Sequence, residues 1–180
     1  MFLSWGWPKA EIPYSVCDLI LKSIDNNLYE KGEVLDNDVQ SIRDVNIQFN
    51  NINWINALLS GYIRYSNYAN FNYDLSDCDK ELVQVSKYSE GEFYGIHRDY
   101  DYEDNFTITR KLSLTVQLSD ENDYEGGDLV FHTGNSKEKA NRGKGSVVVF
   151  DSRLYHEVTP VTKGTRYSLV KWYHGDKPLR

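Results

Sequence analysis

The chain has 180 residues, of which 40% are hydrophobic and 26% are charged, the balance of an ordinary globular protein. This length predicts a single domain, and 12 glycines with 4 prolines exclude a collagen-like or low-complexity chain. The formal net charge is −7 and no basic stripe interrupts it, so we expect no nucleic-acid partner.

The two cysteines and the N-terminal residues indicate the cellular compartment that we expect for the protein. Cys17 and Cys78 form neither a disulfide framework nor a zinc-finger spacing, which favours a reducing environment. The first residues lack the basic and apolar regions of a signal peptide. No apolar run of about 18 residues follows them. We therefore expect a soluble, cytoplasmic protein that does not contact a membrane.

Residues 1–80 contain two segments with helical hydrophobic periodicity. The first follows Pro13, and the second covers Ile52–Asn67. Between them, residues 30–50 are acidic and loop-like, with a short strand predicted at Asp44–Phe49. Both helices are expected to act as scaffold.

From residue 81 onward, the hydrophobic period changes to two. The clearest case is Leu112–Leu118, where leucine and valine alternate with polar residues. Short strands separated by glycine turns, after N-terminal helices, predict an α+β and mainly β fold: a β-sandwich or jelly roll packed against supporting helices. In a single domain of residues 1–180, residues 1–80 would form the helical support and residues 81–173 the jelly-roll core. The predicted strands are Leu82–Tyr88, Leu112–Leu118, Asp128–His132, Ser146–Phe150, Tyr155–Pro160 and Arg166–Tyr173.

Three short stretches carry the residue types of a metal and anion site. His97 and Asp99 are two positions apart, so on a strand they face the same side. His156 lies at the edge of another predicted β segment. Two imidazoles and one carboxylate are the ligand set that suits non-haem Fe(II) with open positions. Arg166, with Ser168 on the same strand face, matches a carboxylate ligand.

Other interpretations of these residues stay open at this point. A single His-x-Asp pair occurs by chance in many proteins, and Asp101 also lies on the His97 face. A structural zinc site would need a fourth ligand, usually Cys or His, but both cysteines lie in the helical half. His132 and His174 have no ligand spacing, so they are expected to be surface or structural residues.

Residues 88–99 read Y-x-x-G-x-x-Y-x-x-H-x-D. Together with residues 110–131 and 144–173, this motif resembles the prolyl 4-hydroxylase-type Fe(II)/2-oxoglutarate-dependent dioxygenases, in particular the small PKHD-type branch. The resemblance implies a double-stranded β-helix, which is a cupin-like jelly roll. It also implies Fe(II) as the metal, 2-oxoglutarate and O₂ as cosubstrates, and stimulation by L-ascorbate.

The resemblance further implies roles for individual residues. His97, Asp99 and His156 would bind Fe(II). Arg166 would bind the far carboxylate of 2-oxoglutarate, with Tyr88 as a hydroxyl donor to the same molecule. Further candidates are Tyr94, Gln117 and Ser168 near 2-oxoglutarate, and Arg110 and Tyr102 near the substrate.

The implied activity is hydroxylation of a peptidyl residue, with proline as the expected target. Aromatic and acidic residues near the triad and the N-terminus predict a rim that suits extended, proline-containing peptides with basic residues. Two alternatives stay open: a hydroxylase of a free amino acid or another small molecule, and a non-catalytic jelly-roll binding module. The sequence does not determine the oligomeric state. The predicted rim residues are Trp5, Trp7, Tyr100, Asp101, Tyr102, Glu103, Asp104 and Phe106.

Overall fold

The structure is a computed structural model that describes residues 12–32, 43–76, 81–100 and 108–176. Within these ranges, strands dominate, and they form two antiparallel sheets and a small two-stranded ribbon. No helix in these ranges is long and apolar enough to cross a membrane.

Both predicted helices are confirmed. Helix α1 (Tyr14–Lys22) begins directly after Pro13, because proline can precede the first helical turn but cannot continue a helix. Helix α2 (Asn53–Ser66) continues into a π-helical turn, Asn67–Phe71. A single 3₁₀ turn spans Asn26–Leu28.

Six strands form the larger sheet, and neighbours in it are antiparallel. One face of this sheet packs against both helices. In spatial order the strands are β1 (Glu30–Lys31), β3 (Asn46–Asn50), β4 (Val83–Tyr88), β13 (Arg166–Asp176), β6 (Ile108–Gln117) and β10 (Val147–Asp151).

Five strands form the smaller sheet, and two more form the ribbon. Two antiparallel sheets of this kind make the jelly roll that the sequence predicts. In spatial order the smaller sheet contains β2 (Arg43–Asp44), β5 (Phe93–His97), β11 (Tyr155–Val158), β8 (Leu129–Thr133) and β9 (Ser136–Lys139), and the ribbon pairs β7 (Tyr124–Gly126) with β12 (Val161–Gly164).

Strand β6 separates the helical layer from the interior of the jelly roll. Leu112, Leu114 and Val116 are fully buried and belong to the core cluster that also contains apolar residues of both helices. Each such side chain contributes roughly 1.5–3 kcal/mol through burial. The alternate residues Ser113 and Thr115 face the other way, because successive side chains of a strand point to opposite faces.

The structure differs from the sequence-based prediction in the first 80 residues and at four later strands, β5, β7, β9 and β12. Strand β3 confirms the short strand predicted at Asp44–Phe49, but β1 and β2 were not predicted as separate strands, so the first 80 residues add strands to both sheets. Strand β5 was not predicted, because Gly95 interrupts a short sequence without clear alternation. Strand β9 is an exposed edge strand of serine, lysine and glutamate, so it has no apolar residue to indicate it.

Candidate active site

His97 and His156 lie opposite each other on paired strands. His97 ends β5, His156 lies in β11, and the two are register partners, with ring centroids 4.1 Å apart. The Nδ1 atom of His97 is 2.8 Å from the carbonyl oxygen of Gly95, and that of His156 is 2.9 Å from the carbonyl oxygen of Leu154. Since each Nδ1–H donates to a carbonyl, the Nε2 lone pairs are left for a metal.

Asp99 completes the group from the loop that follows β5. Its Oδ1 lies 3.5 Å from Nε2 of His97, and its Oδ2 lies 3.6 Å from Nε2 of His156. The hydroxyl of Ser113 donates a hydrogen bond of 2.6 Å to Oδ2. The three ligand atoms lie within 4.8 Å of one another, so a single ion can contact all three residues. We call His97, Asp99 and His156 the triad.

Burial and neighbouring charge set the protonation states in the triad. Burial lowers the pKa of His156 to about 4, so the ring is neutral at pH 7. Burial by itself raises the pKa of Asp99, but His156, His97 and the hydroxyl of Ser113 outweigh it and hold that pKa well below its usual range. A neutral imidazole and an ionised carboxylate are the forms that bind a metal.

The donor set fits non-haem Fe(II) better than a structural zinc ion. Two nitrogen donors and one carboxylate leave coordination positions open, which is the facial arrangement of Fe(II) oxygenases. A structural zinc site is closed by a fourth ligand. Among the residues that the structure describes, no further His, Cys, Asp or Glu joins this group.

Arg166 lies across the interior from the triad, at the start of β13. It is only 4% exposed, and it is the register partner of Tyr88 on β4, whose ring centroid is 5.4 Å from the guanidinium carbon. Its Nε–H donates to the side-chain oxygen of Gln117 at 3.1 Å. Its Nη1 is buried and has no hydrogen-bond partner in the described ranges. An unused N–H on a buried guanidinium fits a ligand carboxylate.

One cavity of about 750 Å³ connects the triad with Arg166. Gln117 does not line this cavity; it lies behind Arg166, and its amide donates to the hydroxyl of Tyr124 at 3.1 Å. Gln117 therefore acts on the cavity through Arg166. Other predicted residues that line the cavity are Tyr88, Tyr94, Arg110 and Ser168.

Tyr94 and Arg110 lie at different parts of the cavity wall. The ring of Tyr94 stacks on His97, with centroids 3.5 Å apart and planes 11° apart, so it covers one side of the triad. Arg110 donates to the carboxylate of Glu81 at 3.1 and 2.9 Å, and its guanidinium carbon is 4.1 Å from the ring centroid of Trp172. Arg110 therefore lines the cavity while its guanidinium is paired with Glu81 and lies over the ring of Trp172.

The two remaining histidines lie outside the triad. Nε2 of His132 is 3.0 Å from Glu157, and Nε2 of His174 is 3.2 Å from Glu81. Each lies next to a glutamate, which agrees with the surface or structural role expected from the sequence.

Part of the predicted rim lies outside the described residues. Of the rim, only Tyr100 is described, and its backbone N–H donates to the carbonyl oxygen of Ser152 at 2.9 Å. The predicted rim and substrate residues outside the described ranges are Trp5, Trp7, Asp101, Tyr102, Glu103, Asp104 and Phe106.

Sequence reasoning missed several residues at the site. Trp172 lines the cavity and lies six positions after Arg166 on β13, so the period of two that grouped Arg166 with Ser168 also indicates it. Ser113 lies on the polar face of β6, where alternation places it with Gln117. No sequence pattern indicates Glu81, because it precedes a strand and its partners, Arg110 and His174, are far away in the chain.

Comparison with known proteins gives a consistent set of relatives. A family model described as the 2OG-Fe(II) oxygenase superfamily matches residues 83–174. A PKHD-type hydroxylase of Synechococcus sp. is 46% identical over 89 residues, which cover 49% of this chain and 39% of the relative. A PKHD-type hydroxylase of Idiomarina loihiensis is 33% identical over 90 residues, which cover 50% and 40%. The matched region thus spans about two fifths of these relatives' length.

Solved structures show the same fold at low sequence identity. A prolyl 4-hydroxylase of Pseudomonas putida has a TM-score of 0.74 and 20% identity, covering 95% of this chain and 92% of that one. A Trichoplax adhaerens prolyl hydroxylase, in complex with a peptide fragment of the hypoxia inducible factor, also has a TM-score of 0.74 and 20% identity, covering 95% and 82%.

Proposed function

Since the chain belongs to the 2OG-Fe(II) oxygenase superfamily, we propose that it is an Fe(II)- and 2-oxoglutarate-dependent dioxygenase that hydroxylates a peptidyl residue, with proline as the expected target. Membership confirms the resemblance to PKHD-type hydroxylases that the sequence motif carries. The observation that supports the activity most is that one cavity contains both the triad and a buried arginine with an unused N–H.

In this proposal His97, Asp99 and His156 hold Fe(II). When bound, the metal supplies the oxidative decarboxylation of 2-oxoglutarate to succinate and CO₂, coupled to insertion of one oxygen atom into a substrate C–H bond. The protein contributes two imidazoles, oriented by backbone carbonyls, and one carboxylate.

The cosubstrate would lie between the triad and Arg166. The Nη1–H of Arg166 donates to the far carboxylate of 2-oxoglutarate, and the hydroxyls of Tyr88 and Ser168 on the same cavity wall are positioned to contribute further donors. Gln117 keeps the guanidinium in place from behind. A bond between a buried guanidinium and a carboxylate is charge-assisted and directional.

Aromatic residues shield the triad from water. The ring of Phe150 is 4.8 Å from that of His156, the ring of Phe131 is 6.1 Å from it, and Tyr94 covers His97. A water-excluded site strengthens the interactions of its charged groups.

The cavity has room for a substrate segment beside 2-oxoglutarate. Its volume of about 750 Å³ lies in the upper part of the roughly 300–1,000 Å³ range of ligand pockets. Trp172 lines the cavity, and its buried Nε1–H has no hydrogen-bond partner among the described residues, so we expect it to donate to a substrate carbonyl. The Trichoplax neighbour binds a peptide fragment, which agrees with this interpretation.

A complete triad next to an unpaired N–H of Arg166 disfavours a non-catalytic binding module. Hydroxylation of a free amino acid or another small molecule is the second candidate, since it would use the same metal and cosubstrate groups. The proposal also retains stimulation by ascorbate and a cytoplasmic location, both from the sequence analysis.

The experiment incubates the protein with Fe(II), 2-oxoglutarate and ascorbate, together with proline-containing peptide libraries. Matched libraries carry alanine in place of proline, and free proline and other amino acids are assayed separately. We expect mass spectrometry to find a gain of one oxygen at proline, with stoichiometric succinate, and neither with the His97→Ala variant. Succinate formation coupled to oxidation of free proline or another small metabolite, with no oxidised peptide, would replace this proposal by the second candidate.

A further inference from the structure

Two buried serine hydroxyls connect Asp99 to the turn that precedes His156. Ser113 lies in β6 and Ser152 directly follows β10, and both are fully buried. The hydroxyl of Ser113 donates to Oδ2 of Asp99 at 2.6 Å, and the two serine oxygens are 2.9 Å apart.

The number of hydroxyl hydrogens determines which of the two serines is the donor. A hydroxyl has one hydrogen, and Ser113 uses it on Asp99, so Ser152 is the donor to Ser113. Donation therefore runs from Ser152 through Ser113 to Asp99. Bonds in such a chain polarise one another where water is excluded, and the last bond is charge-assisted because its acceptor is ionised.

A cluster of three side chains holds the turn at residues 151–154. Arg153 donates through Nε to Oδ1 of Asp151 at 2.8 Å and through Nη2 to the hydroxyl of Tyr73, also at 2.8 Å. The hydroxyl of Tyr73 in turn donates to Oδ2 of Asp151. Asp151 is 1% exposed. None of the three lines the cavity of the triad, so their contribution is to the shape of the turn.

The same turn contacts His156 of the triad and the residue after Asp99 through its backbone carbonyls. The carbonyl oxygen of Leu154 accepts the Nδ1–H of His156 at 2.9 Å. The carbonyl oxygen of Ser152 accepts the N–H of Tyr100, the residue after Asp99, at 2.9 Å. The turn therefore connects β11, which supplies His156, with the loop that supplies Asp99.

We propose that Ser113 and Ser152 are positioning residues of the metal site, which hold Oδ2 of Asp99 so that this carboxylate binds the metal through Oδ1 alone. One oxygen from Asp99 and two imidazole nitrogens leave three positions of an octahedron for cosubstrate and O₂. A carboxylate free to turn would coordinate through both oxygens and occupy one of these. The proposal rests on the proposed function, because it takes the triad as the Fe(II) site.

The test titrates the metal-free chain with Mn(II), a redox-stable substitute for Fe(II), by calorimetry. We expect Ser113→Ala to weaken Mn(II) binding by about tenfold, the lower end of what losing a partner behind a metal ligand costs. Ser152→Ala should cause a smaller loss. The double variant should bind no more weakly than Ser113→Ala, because Ser152 acts only through Ser113. The control is Ser66→Ala. Ser66 is also fully buried, but its hydroxyl has no hydrogen-bond partner in the described ranges. This variant should bind Mn(II) like the wild type.

A spectrum separates positioning from a general structural effect. With Co(II) in place of Mn(II), Ser113→Ala should change the visible absorption bands, which report coordination, whereas Ser113→Thr, which keeps the hydroxyl, should restore them. If Ser113→Ala loses its fold by circular dichroism, Ser113→Cys replaces it with the same expectation, since S–H is only a weak donor.

The outcomes distinguish this inference from the proposed function. Unchanged Mn(II) affinity and an unchanged Co(II) spectrum in Ser113→Ala, with normal binding by the wild type, would overturn only the positioning role of Ser113 and Ser152. Additive losses in the double variant would also overturn it. A wild-type chain that fails to bind Mn(II) would overturn both proposals.

Discussion

His97 and His156 are register partners on adjacent antiparallel strands although they lie 59 positions apart in the chain. Their ring centroids are 4.1 Å apart, on the side of the smaller sheet that faces Asp99. A slip of one residue between β5 and β11 would turn one imidazole to the opposite face. The metal site therefore depends on strand register as much as on residue type.

The triad gives the first prediction. Replacing His97 or His156 by alanine removes a nitrogen donor, so succinate formation that depends on Fe(II) should fall below detection. Loss of a residue that hydrogen-bonds to a metal ligand typically lowers metal affinity by roughly 10–100-fold. Loss of the ligand itself should lower the Mn(II) affinity by more than this. Calorimetry and a 2-oxoglutarate turnover assay measure both, and circular dichroism should show an intact fold.

The matched control for this prediction is His132→Ala, because His132 pairs with Glu157 outside the triad and its loss should leave metal affinity unchanged. Asp101→Ala, which removes the alternative carboxylate considered from the sequence, should retain turnover. A stoichiometric metal complex that persists in the His97→Ala/Asp99→Ala double variant would contradict the assignment.

Arg166 gives the second prediction. Truncation to alanine leaves the far carboxylate of 2-oxoglutarate without its cation, at a cost of about 2–5 kcal/mol for a buried pair. The affinity for 2-oxoglutarate, measured on the Mn(II)-loaded protein, should therefore fall at least tenfold, while Mn(II) affinity stays nearly constant. The control is Lys163→Ala, which removes a cation from an exposed pair with Glu125. Equal cosubstrate affinity in the Arg166 variant and the wild type would refute this role.

Gln117 gives the third prediction, which concerns how it acts. Gln117→Leu removes the acceptor for the Nε–H of Arg166, a hydrogen bond of net value about 0.5–1.5 kcal/mol. The KM for 2-oxoglutarate should rise by up to about tenfold with little change in kcat. Because Gln117 acts through Arg166, adding Gln117→Leu to Arg166→Ala should raise the KM no further. A further rise in the double variant would mean that Gln117 contacts the cosubstrate directly.

Glu81 gives the fourth prediction, on stability at acid pH. Burial acts to raise the pKa of Glu81, but hydrogen bonds and charges from His174 and Arg110 outweigh it and lower that pKa below its usual value. A carboxyl whose pKa is lower in the folded state stabilises the fold above the unfolded pKa, about 4.3 for Glu, and this contribution is lost as the pH falls. The free energy of unfolding should therefore fall more steeply below about pH 5 in the wild type than in Glu81→Gln.

Denaturant titrations between neutral and acid pH measure this difference. The control is Glu125→Gln, which removes a carboxylate from an exposed ion pair; such pairs contribute little to stability, so its acid dependence should match the wild type. Parallel curves for Glu81→Gln and the wild type would show that the ion pairs of Glu81 do not stabilise the fold.

Periodicity in the sequence predicted the layers of the fold. The alternation at Leu112–Leu118 indicated a strand with one apolar face, and Leu112, Leu114 and Val116 do pack against the helices. Strands β5 and β9 escaped prediction for different reasons, a glycine in a short segment and an exposed edge without apolar residues. In both, pairing with a neighbouring strand stabilises the extended backbone, and pairing leaves no trace in local composition.

At the site, the sequence by itself determined the residue types and the face of β13 that Arg166 shares with Ser168, whereas Asp99 lies in the loop after β5 and not on a strand with His97. Only the tertiary structure decided that Gln117 lies behind Arg166, and that Ser113 donates to Asp99. The physical reason is that side-chain direction follows from the local backbone repeat. Distances between side chains on different strands instead depend on register and on how the two sheets pack, which are set by contacts between residues far apart in the chain.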